Sequence, residues 1–160
     1  MVITRETDYA MRCTLFLSRH QEDVKMLEAV ATEMAIPKSF LAKIVQKLAK
    51  AGVVESFRGA KGGIRLTRAP EEISLLDVIE AVQGPVAMNR CAVDKTTCSL
   101  SCSCVVHPVW TQLRKEMEQR LKAINFRSLM GNPSFRDGLR WKRKHGSLGA
   151  CTVNPLRRRK

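Results

Sequence analysis

Two short amphipathic segments separated by Pro37 constrain the fold of this chain most strongly. Residues 26–35 and 39–50 both carry apolar side chains at helical spacing, which predicts two helices. Proline disfavours helix in the residue before it and fits the first turn of a new helix, so Pro37 predicts a tight turn. The second helix has a basic polar face opposite an apolar face formed by Phe40, Leu41, Ile44, Val45 and Leu48. This outline is typical of a helix-turn-helix, whose second helix reads the major groove of DNA.

A glycine-rich hairpin is predicted directly after these helices. Residues 53–57 and 64–67 are rich in β-forming side chains, and the segment between them is rich in glycine. Glycine permits the tight backbone of a hairpin tip. Arg58 and Lys61 flank that tip, so the hairpin is predicted to be the wing of a winged helix, able to reach a phosphate or a minor groove. The spacing of a phosphate-binding P-loop is absent from it.

Two further helices are predicted in the second half of the chain. Ser74 and Asp77 have the spacing of a capping box, and Gly84 with Pro85 ends the short helix that follows. A long amphipathic helix begins at Pro108, with an apolar stripe of Trp110, Leu113, Met117, Leu121 and Ile124. Packing on its own core or on a second chain would satisfy this stripe, and its a/d-like spacing favours a homodimer.

The predicted fold class is mostly α with a small β-hairpin wing: a winged helix-turn-helix domain plus a long dimerisation helix. We expect the DNA-binding domain in residues 1–84, a cysteine-rich loop in 85–107, the dimerisation helix in 108–130 and a basic tail in 131–160. The net charge of +13 indicates a polyanionic partner. Nine Lys and Arg against one Asp give residues 136–160 a charge of +8, which leaves +5 for the rest.

The segment CAVDKTTCSLSCSCVVH, residues 91–107, holds four of the six cysteines and ends on a histidine. Clustered soft thiolates select zinc, copper(I) or iron–sulfur clusters. The charged N-terminus argues against a secretory signal, and no apolar run is long enough to cross a bilayer. We therefore expect a cytoplasmic protein with reduced thiols. Cys13 lies in the apolar stripe of a helix predicted over residues 4–20 and is expected to be a buried thiol.

Several motifs together resemble the Rrf2 family of bacterial winged-helix transcription regulators. They are TDYA near the N-terminus, VESFRGAKGGIRL at the wing, LLDVIEAVQGP before the loop, and the cysteine loop with its following helix. The likeness covers about residues 1–130. The resemblance implies a homodimer that binds double-stranded operator DNA and, through the loop cysteines, a two-iron or four-iron cluster. It implies neither a membrane nor a small-molecule substrate as partner.

The resemblance also implies the candidate ligands of such a cluster, namely Cys91, Cys98, Cys104, His107 and Asp8. The family pattern has three loop cysteines and this chain has four, so Cys102 is an alternative to Cys104 as the third ligand. The IscR-like branch of the family implies His107 as the fourth ligand. The NsrR-like branch implies Asp8, contributed by the partner chain. Both remain open.

The DNA contacts are predicted on the polar face of the second helix and at the wing. The candidates are Lys38, Ser39, Lys43, Gln46, Lys47, Arg58 and Lys61. Glutamine can read an adenine edge, and lysine can contact guanine or phosphate. We therefore expect a regulator whose operator affinity depends on a cluster that senses redox state, nitric oxide or iron.

There are two alternative functions, of which the first keeps the DNA-binding domain and the second does not. The first places zinc or a thiol–disulfide switch in the cysteine loop, although the Cys102–Cys104 spacing is shorter than that common in structural zinc sites. The second is an enzyme with Cys104 as nucleophile and His107 as base. No oxyanion-forming loop or substrate pocket supports it, so we expect no enzymatic activity.

Overall fold

The computed structural model describes residues 2–59 and 62–131. Within them the helices are α1 (Arg5–Ser18), α2 (Leu27–Met34), α3 (Lys38–Lys50), α4 (Leu75–Gln83), α5 (His107–Ala123) and α6 (Phe126–Met130). An antiparallel hairpin consists of β1 (Val54–Phe57) and β2 (Gly63–Leu66). Short 3-10 turns cover Pro70–Glu72, Arg90–Ala92 and Lys95–Thr97. Lys61 and residues 132–160, which include most of the predicted basic tail, lie outside the described residues.

Helix α1 occupies the core and packs against α2, α3, α4 and α6. Its Ala10, Cys13 and Leu17 side chains are fully buried, which confirms the prediction for Cys13. The hydroxyl of Thr4 caps the helix by accepting a hydrogen bond from the Thr7 amide at 3.2 Å. No helix in the described part of the chain is both long enough and apolar enough to cross a membrane.

The turn predicted at Pro37 separates α2 from α3. Ala35 ends α2 in the left-handed conformation, and Pro37 is the N-cap of α3. Leu41, Ile44 and Leu48 of α3 are buried as predicted. The prediction for Phe40 is wrong, because its side chain remains 55% exposed. It lies in the first turn of α3, where Lys38 and Ser39 are exposed as well.

The wing has a third backbone partner that the sequence did not predict. In the hairpin Val54 is paired with Leu66. On the other side of β2, the Lys25 amide donates to the Ile64 carbonyl at 2.9 Å, and the Ile64 amide donates to the Lys25 carbonyl at 2.8 Å. A Cβ atom on Gly63 would lie 2.5 Å from the Lys25 carbonyl oxygen. Glycine is therefore required at position 63 for this close approach.

The predicted long helix over 108–130 is two helices. Helix α5 begins at His107 and ends at Ala123, where Ile124 adopts an extended conformation. The Ile124 carbonyl accepts from the Leu75 amide at 2.9 Å, and the Phe126 amide donates to the Ile73 carbonyl at 3.0 Å. The Phe126 side chain is fully buried. The helix breaks between α5 and α6 because residues 124–126 pair with residues 73–75, and this pairing draws the chain back towards the core.

We expect Phe126→Ala to lower the free energy of unfolding by about 3–5 kcal/mol, the usual cost of emptying a buried phenylalanine site. Arg127→Ala removes an exposed neighbour on the same short helix and should change the stability by less than about 0.5 kcal/mol. Urea unfolding at one fixed protein concentration measures both values. Equal stabilities of the two variants would contradict the docking of α6 on the core.

Candidate metal site and nucleic-acid interface

The cysteine loop connects the end of α4 to the start of α5 through short backbone turns. The Asp94 carboxylate accepts hydrogen bonds from the Thr96 amide at 2.9 Å and from its hydroxyl at 2.7 Å. These hydrogen bonds lower the pKa of Asp94 below its usual value. Further along, the Cys104 amide donates to the Leu100 carbonyl at 2.8 Å, and the His107 amide donates to the Cys104 carbonyl at 3.2 Å.

The four loop cysteines are free thiols in different environments. Cys91 is buried, Cys104 is half-buried, and Cys98 and Cys102 are exposed. Within residues 2–59 and 62–131, no three His, Cys, Asp or Glu side chains lie close enough together to hold one metal ion. The described part of the single chain therefore places the four cysteines and His107 in one segment without bringing them into a common coordination sphere.

His107 is a buried polar residue at the end of the loop. It is the first residue of α5, and its side chain is only 8% exposed. Both ring nitrogens, Nδ1 and Nε2, are buried without a hydrogen-bond partner. An unpartnered buried polar group costs about 1–3 kcal/mol, and such groups in native folds call for a specific explanation. Together with the soft thiolates of the loop, an imidazole nitrogen that has no protein partner fits the donor set of a metal or cluster site.

Asp8 lies on α1 and is not part of this arrangement within one chain. Its side chain is 48% exposed and forms an ion pair with Arg12 at 2.7 Å, one helical turn further on. The Arg12 guanidinium also lies over the ring of Tyr9, 5.6 Å from its centre. Asp8 is thus accessible from outside the chain and is already paired with a cation.

Arg114 joins the cysteine loop to α5, a role that the sequence did not predict. Its Nη1 donates to the carbonyl oxygen of Ala92 at 2.8 Å, and its Nε donates to Glu118 at 2.7 Å. Ala92 follows Cys91 directly in the chain. Glu80 of α4 is a second carboxylate near Arg114 and Glu118. Burial and the nearby Glu118 carboxylate raise the pKa of Glu80. The Arg114–Glu118 spacing of four residues was the available sequence signal.

Most of the predicted DNA contacts are exposed. On α3, Ser39, Lys43 and Gln46 have exposed side chains, and Arg58 is exposed at the wing. Lys38 is exposed and forms an ion pair with Glu28.

Lys47 differs from the other candidates. Its ammonium group contacts Glu6 of α1 at 2.8 Å and the Val82 carbonyl of α4 at 3.1 Å. Its contacts are therefore internal, although the sequence pattern placed it on the polar outer face of α3.

Arg65 also supports the wing from within. Its Nε donates to Glu55 across the hairpin at 2.6 Å, and its guanidinium lies over the Phe57 ring at 5.2 Å. Residues 55 and 65 are directly opposite each other in the register. A cross-strand ion pair of this kind stiffens the hairpin that carries Arg58.

We expect Arg114→Ala to raise the alkylation rate of Cys91 in the reduced, metal-free protein by about fivefold, since the lost charge-assisted hydrogen bond is worth about 1 kcal/mol when partly exposed. Peptide mass spectrometry after timed iodoacetamide treatment measures each cysteine separately. Exposed Cys98 serves as the internal reference, and Arg120→Ala on the exposed side of α5 is the matched control. An unchanged Cys91 rate would show that Arg114 does not secure this part of the loop.

Comparison with known proteins places these features in one family. The sequence model of Rrf2, described as an iron-dependent transcriptional regulator, matches residues 3–132. The chain is 34% identical over 125 residues to the transcriptional regulator NsrR of Halalkalibacterium halodurans, covering 74% of this chain and 86% of that one. It is also 34% identical over 131 residues to IscR of Aliivibrio salmonicida, covering 81% of this chain and 77% of that one.

Solved structures show the same fold at lower sequence identity. CymR, the global cysteine regulator of B. subtilis, has a TM-score of 0.64 at 23% identity and covers 81% of this chain and 95% of its own. IscR of T. potens has a TM-score of 0.64 at 23% identity and covers 93% and 94%. The predicted mostly helical winged-helix fold is confirmed. The chain belongs to the Rrf2 family of transcriptional regulators.

Proposed function

We propose that this regulator binds a double-stranded DNA operator with an affinity controlled by an iron–sulfur cluster in the cysteine loop. His107 is the observation that carries the proposal: its two ring nitrogens are buried without a partner, at the end of a loop with four free thiols. A buried imidazole of this kind gains most from a ligand that replaces its missing hydrogen bonds. The protein would act in the cytoplasm, where the thiols stay reduced.

Cys91, Cys98, Cys104 and His107 are the proposed ligands. His107 has no partner to lose, whereas Asp8 would have to give up its ion pair with Arg12. Asp8 of a partner chain is the alternative fourth ligand, and Cys102 is the alternative to Cys104. When bound, a cluster with one non-thiolate ligand supplies a centre whose charge and bonding respond to oxidation, nitric oxide or iron loss.

A homodimer is proposed through α5. The stripe of Trp110, Leu113, Met117 and Leu121 is only half-buried in the single chain. Its spacing suits the same helix of a second copy. The two copies would then present two α3 helices to successive stretches of major groove. Ser39 and Gln46 would face the bases, and Lys43 and Arg58 would contact the phosphates, because these side chains are exposed.

The second candidate function is a thiol switch in the same winged-helix regulator. Cys98 and Cys102 are exposed free thiols on one loop. Oxidation of such a pair by a peroxide would join the two sulfur atoms, and the peroxide would take up the two electrons and two protons that the thiols lose. Hydrogen peroxide would give two water molecules, and an organic hydroperoxide one alcohol and one water. Zinc bound by the loop cysteines is the remaining form of this alternative.

For DNA binding, we expect Lys43→Ala and Arg58→Ala each to weaken binding to a duplex selected by the wild-type protein from a random-sequence library. Each loss of a phosphate contact should make the negative slope of log affinity against log salt less steep by about one. Fluorescence anisotropy at several salt concentrations measures affinity and slope together. Lys115→Ala on α5 is the matched control, since it removes the same charge from an exposed site on another helix. Unchanged affinity and slope in both variants would exclude these residues from the interface.

For the cluster, we expect protein purified without oxygen to be coloured and to contain iron and acid-labile sulfide. Cys98→Ala should abolish the colour, whereas Cys102→Ala should keep it. His107→Ala should alter the visible spectrum and accelerate cluster loss, whereas Asp8→Asn should do neither. Absorbance, metal and sulfide analysis measure these outcomes. Stoichiometric zinc, or metal-free protein that loses two hydrogens on oxidation, would favour the alternative instead.

A further inference from the structure

Lys47 makes internal contacts through its ammonium group. Nζ lies 2.8 Å and 2.9 Å from the two carboxylate oxygens of Glu6, and 3.1 Å from the carbonyl oxygen of Val82. An ammonium group has three donors, and the hydrogen bonds to Glu6 and Val82 use two of them. The Lys47 side chain is 42% exposed and that of Glu6 is 34% exposed. The site is therefore partly screened by water, although the ammonium group is held by two internal partners.

These contacts meet at the end of α4. The Val82 carbonyl lies in the last turn of that helix, where carbonyls lack an intrahelical partner and a cation is favourable. Next to it, the Gln83 side-chain oxygen accepts from the Thr4 amide at 3.1 Å and from the Thr7 hydroxyl at 3.0 Å. We call this set of contacts, around Glu6, Lys47, Val82 and Gln83, the α4 junction.

The α4 junction lies between the proposed DNA-reading helix and the proposed cluster loop. Lys47 belongs to α3, Glu6 to the first turn of α1, and Val82 directly precedes the segment that leads into the loop. The loop starts after Gly84, which ends α4 with a φ of 87°. A change in how the loop leaves α4 therefore acts on the carbonyl that Lys47 holds.

We propose that Lys47 is a positioning residue that couples the orientation of α3 to the end of α4, and not a DNA contact. The inference rests on the proposed function for its regulatory meaning: ordering of the loop by a cluster would act through the α4 junction on α3. The alternative is that Lys47 and Glu6 form only a partly exposed ion pair, which contributes about 0–1 kcal/mol to stability and does not influence DNA binding. The two differ in how DNA binding responds to substitution.

The first test is a double-mutant cycle in the reduced, metal-free protein with the library-selected duplex. Glu6→Gln and Lys47→Met should each weaken DNA binding, and the double variant should bind no more weakly than Lys47→Met alone. For Glu6→Gln the direction of the change in DNA affinity is decisive, because removal of a carboxylate by itself strengthens binding to a polyanion. Stronger or unchanged binding by Glu6→Gln, or additive effects of the two substitutions, would overturn the proposal.

The salt dependence separates positioning from phosphate contact. We expect Lys47→Met to leave the slope of log affinity against log salt unchanged, while the matched variant Lys43→Met lowers it by about one. Both substitutions remove one charge from the same helix. Circular dichroism and thermal unfolding confirm that each variant is folded. A slope lowered by about one in Lys47→Met would identify Lys47 as a phosphate contact and refute the positioning role.

Coupling between the cluster and DNA binding through Lys47 is tested with protein that carries its cluster. If the wild-type affinity differs between the loaded and metal-free forms, Lys47→Met should reduce that ratio by about fivefold or more, as expected for loss of a coupling contact, and Lys43→Met should preserve it. A preserved ratio in Lys47→Met would refute the coupling. Equal affinities of the two wild-type forms would refute the proposed function, while the cycle and the salt slope still decide the role of Lys47.

Discussion

Burial of helix α1 is the constraint on which the rest of the structure depends. Four other helices pack around it, and Ala10, Cys13 and Leu17 are fully buried. Because water is excluded, burial raises the pKa of the Cys13 thiol to about 12. Cys13 is thus a neutral packing residue, since reactivity requires the thiolate. The enclosed helix also fixes its own first turn, so Thr4, Glu6 and Asp8 stand in defined places at the edge of the core.

The cysteine loop has the opposite character. Residues 93–100 are all exposed, and the loop is held by short backbone turns and by the Arg114 contact with Ala92. Segments with little buried apolar surface have low local stability. A sensing segment requires this property, because a bound group can then change its order, at an entropic cost that binding must offset. Arg114 and Glu118 anchor one point of the loop, so the low stability is confined between that point and His107.

Sequence signals that act locally predicted the structure well. Pro37 marked the turn between α2 and α3, and Ser74 with Asp77 forms the predicted capping box before α4. Both depend on neighbours within a few residues.

The failures came from contacts distant in sequence. Phe40 is exposed in the first turn of α3, where its neighbours Lys38 and Ser39 are exposed too. Helix α5 ends early because residues 124–126 pair with residues 73–75. Lys47 stays a predicted DNA contact, and the structure adds contacts that spacing could not indicate, with partners 41 and 35 positions away. The candidate site divides in the same way: the loop cysteines were evident from spacing, whereas the burial of His107 and the Arg114 anchor required the fold.

The two ends of the loop differ in what they can transmit. Gly84 has a φ of 87° and a ψ of −168°, which other residues rarely adopt, so the direction in which the chain leaves α4 is fixed by backbone conformation. At this end, Gln83 and Lys47 connect α4 to α1 and α3. At the other end, α5 packs on α4 and on the turn Arg90–Ala92. Under the proposed function, a change in loop order therefore reaches the DNA-reading helix through the end of α4. In the proposed homodimer, helix α5 would set the spacing of the two chains. Sensing and spacing then use different ends of one segment, so substitution at one end need not disturb the other.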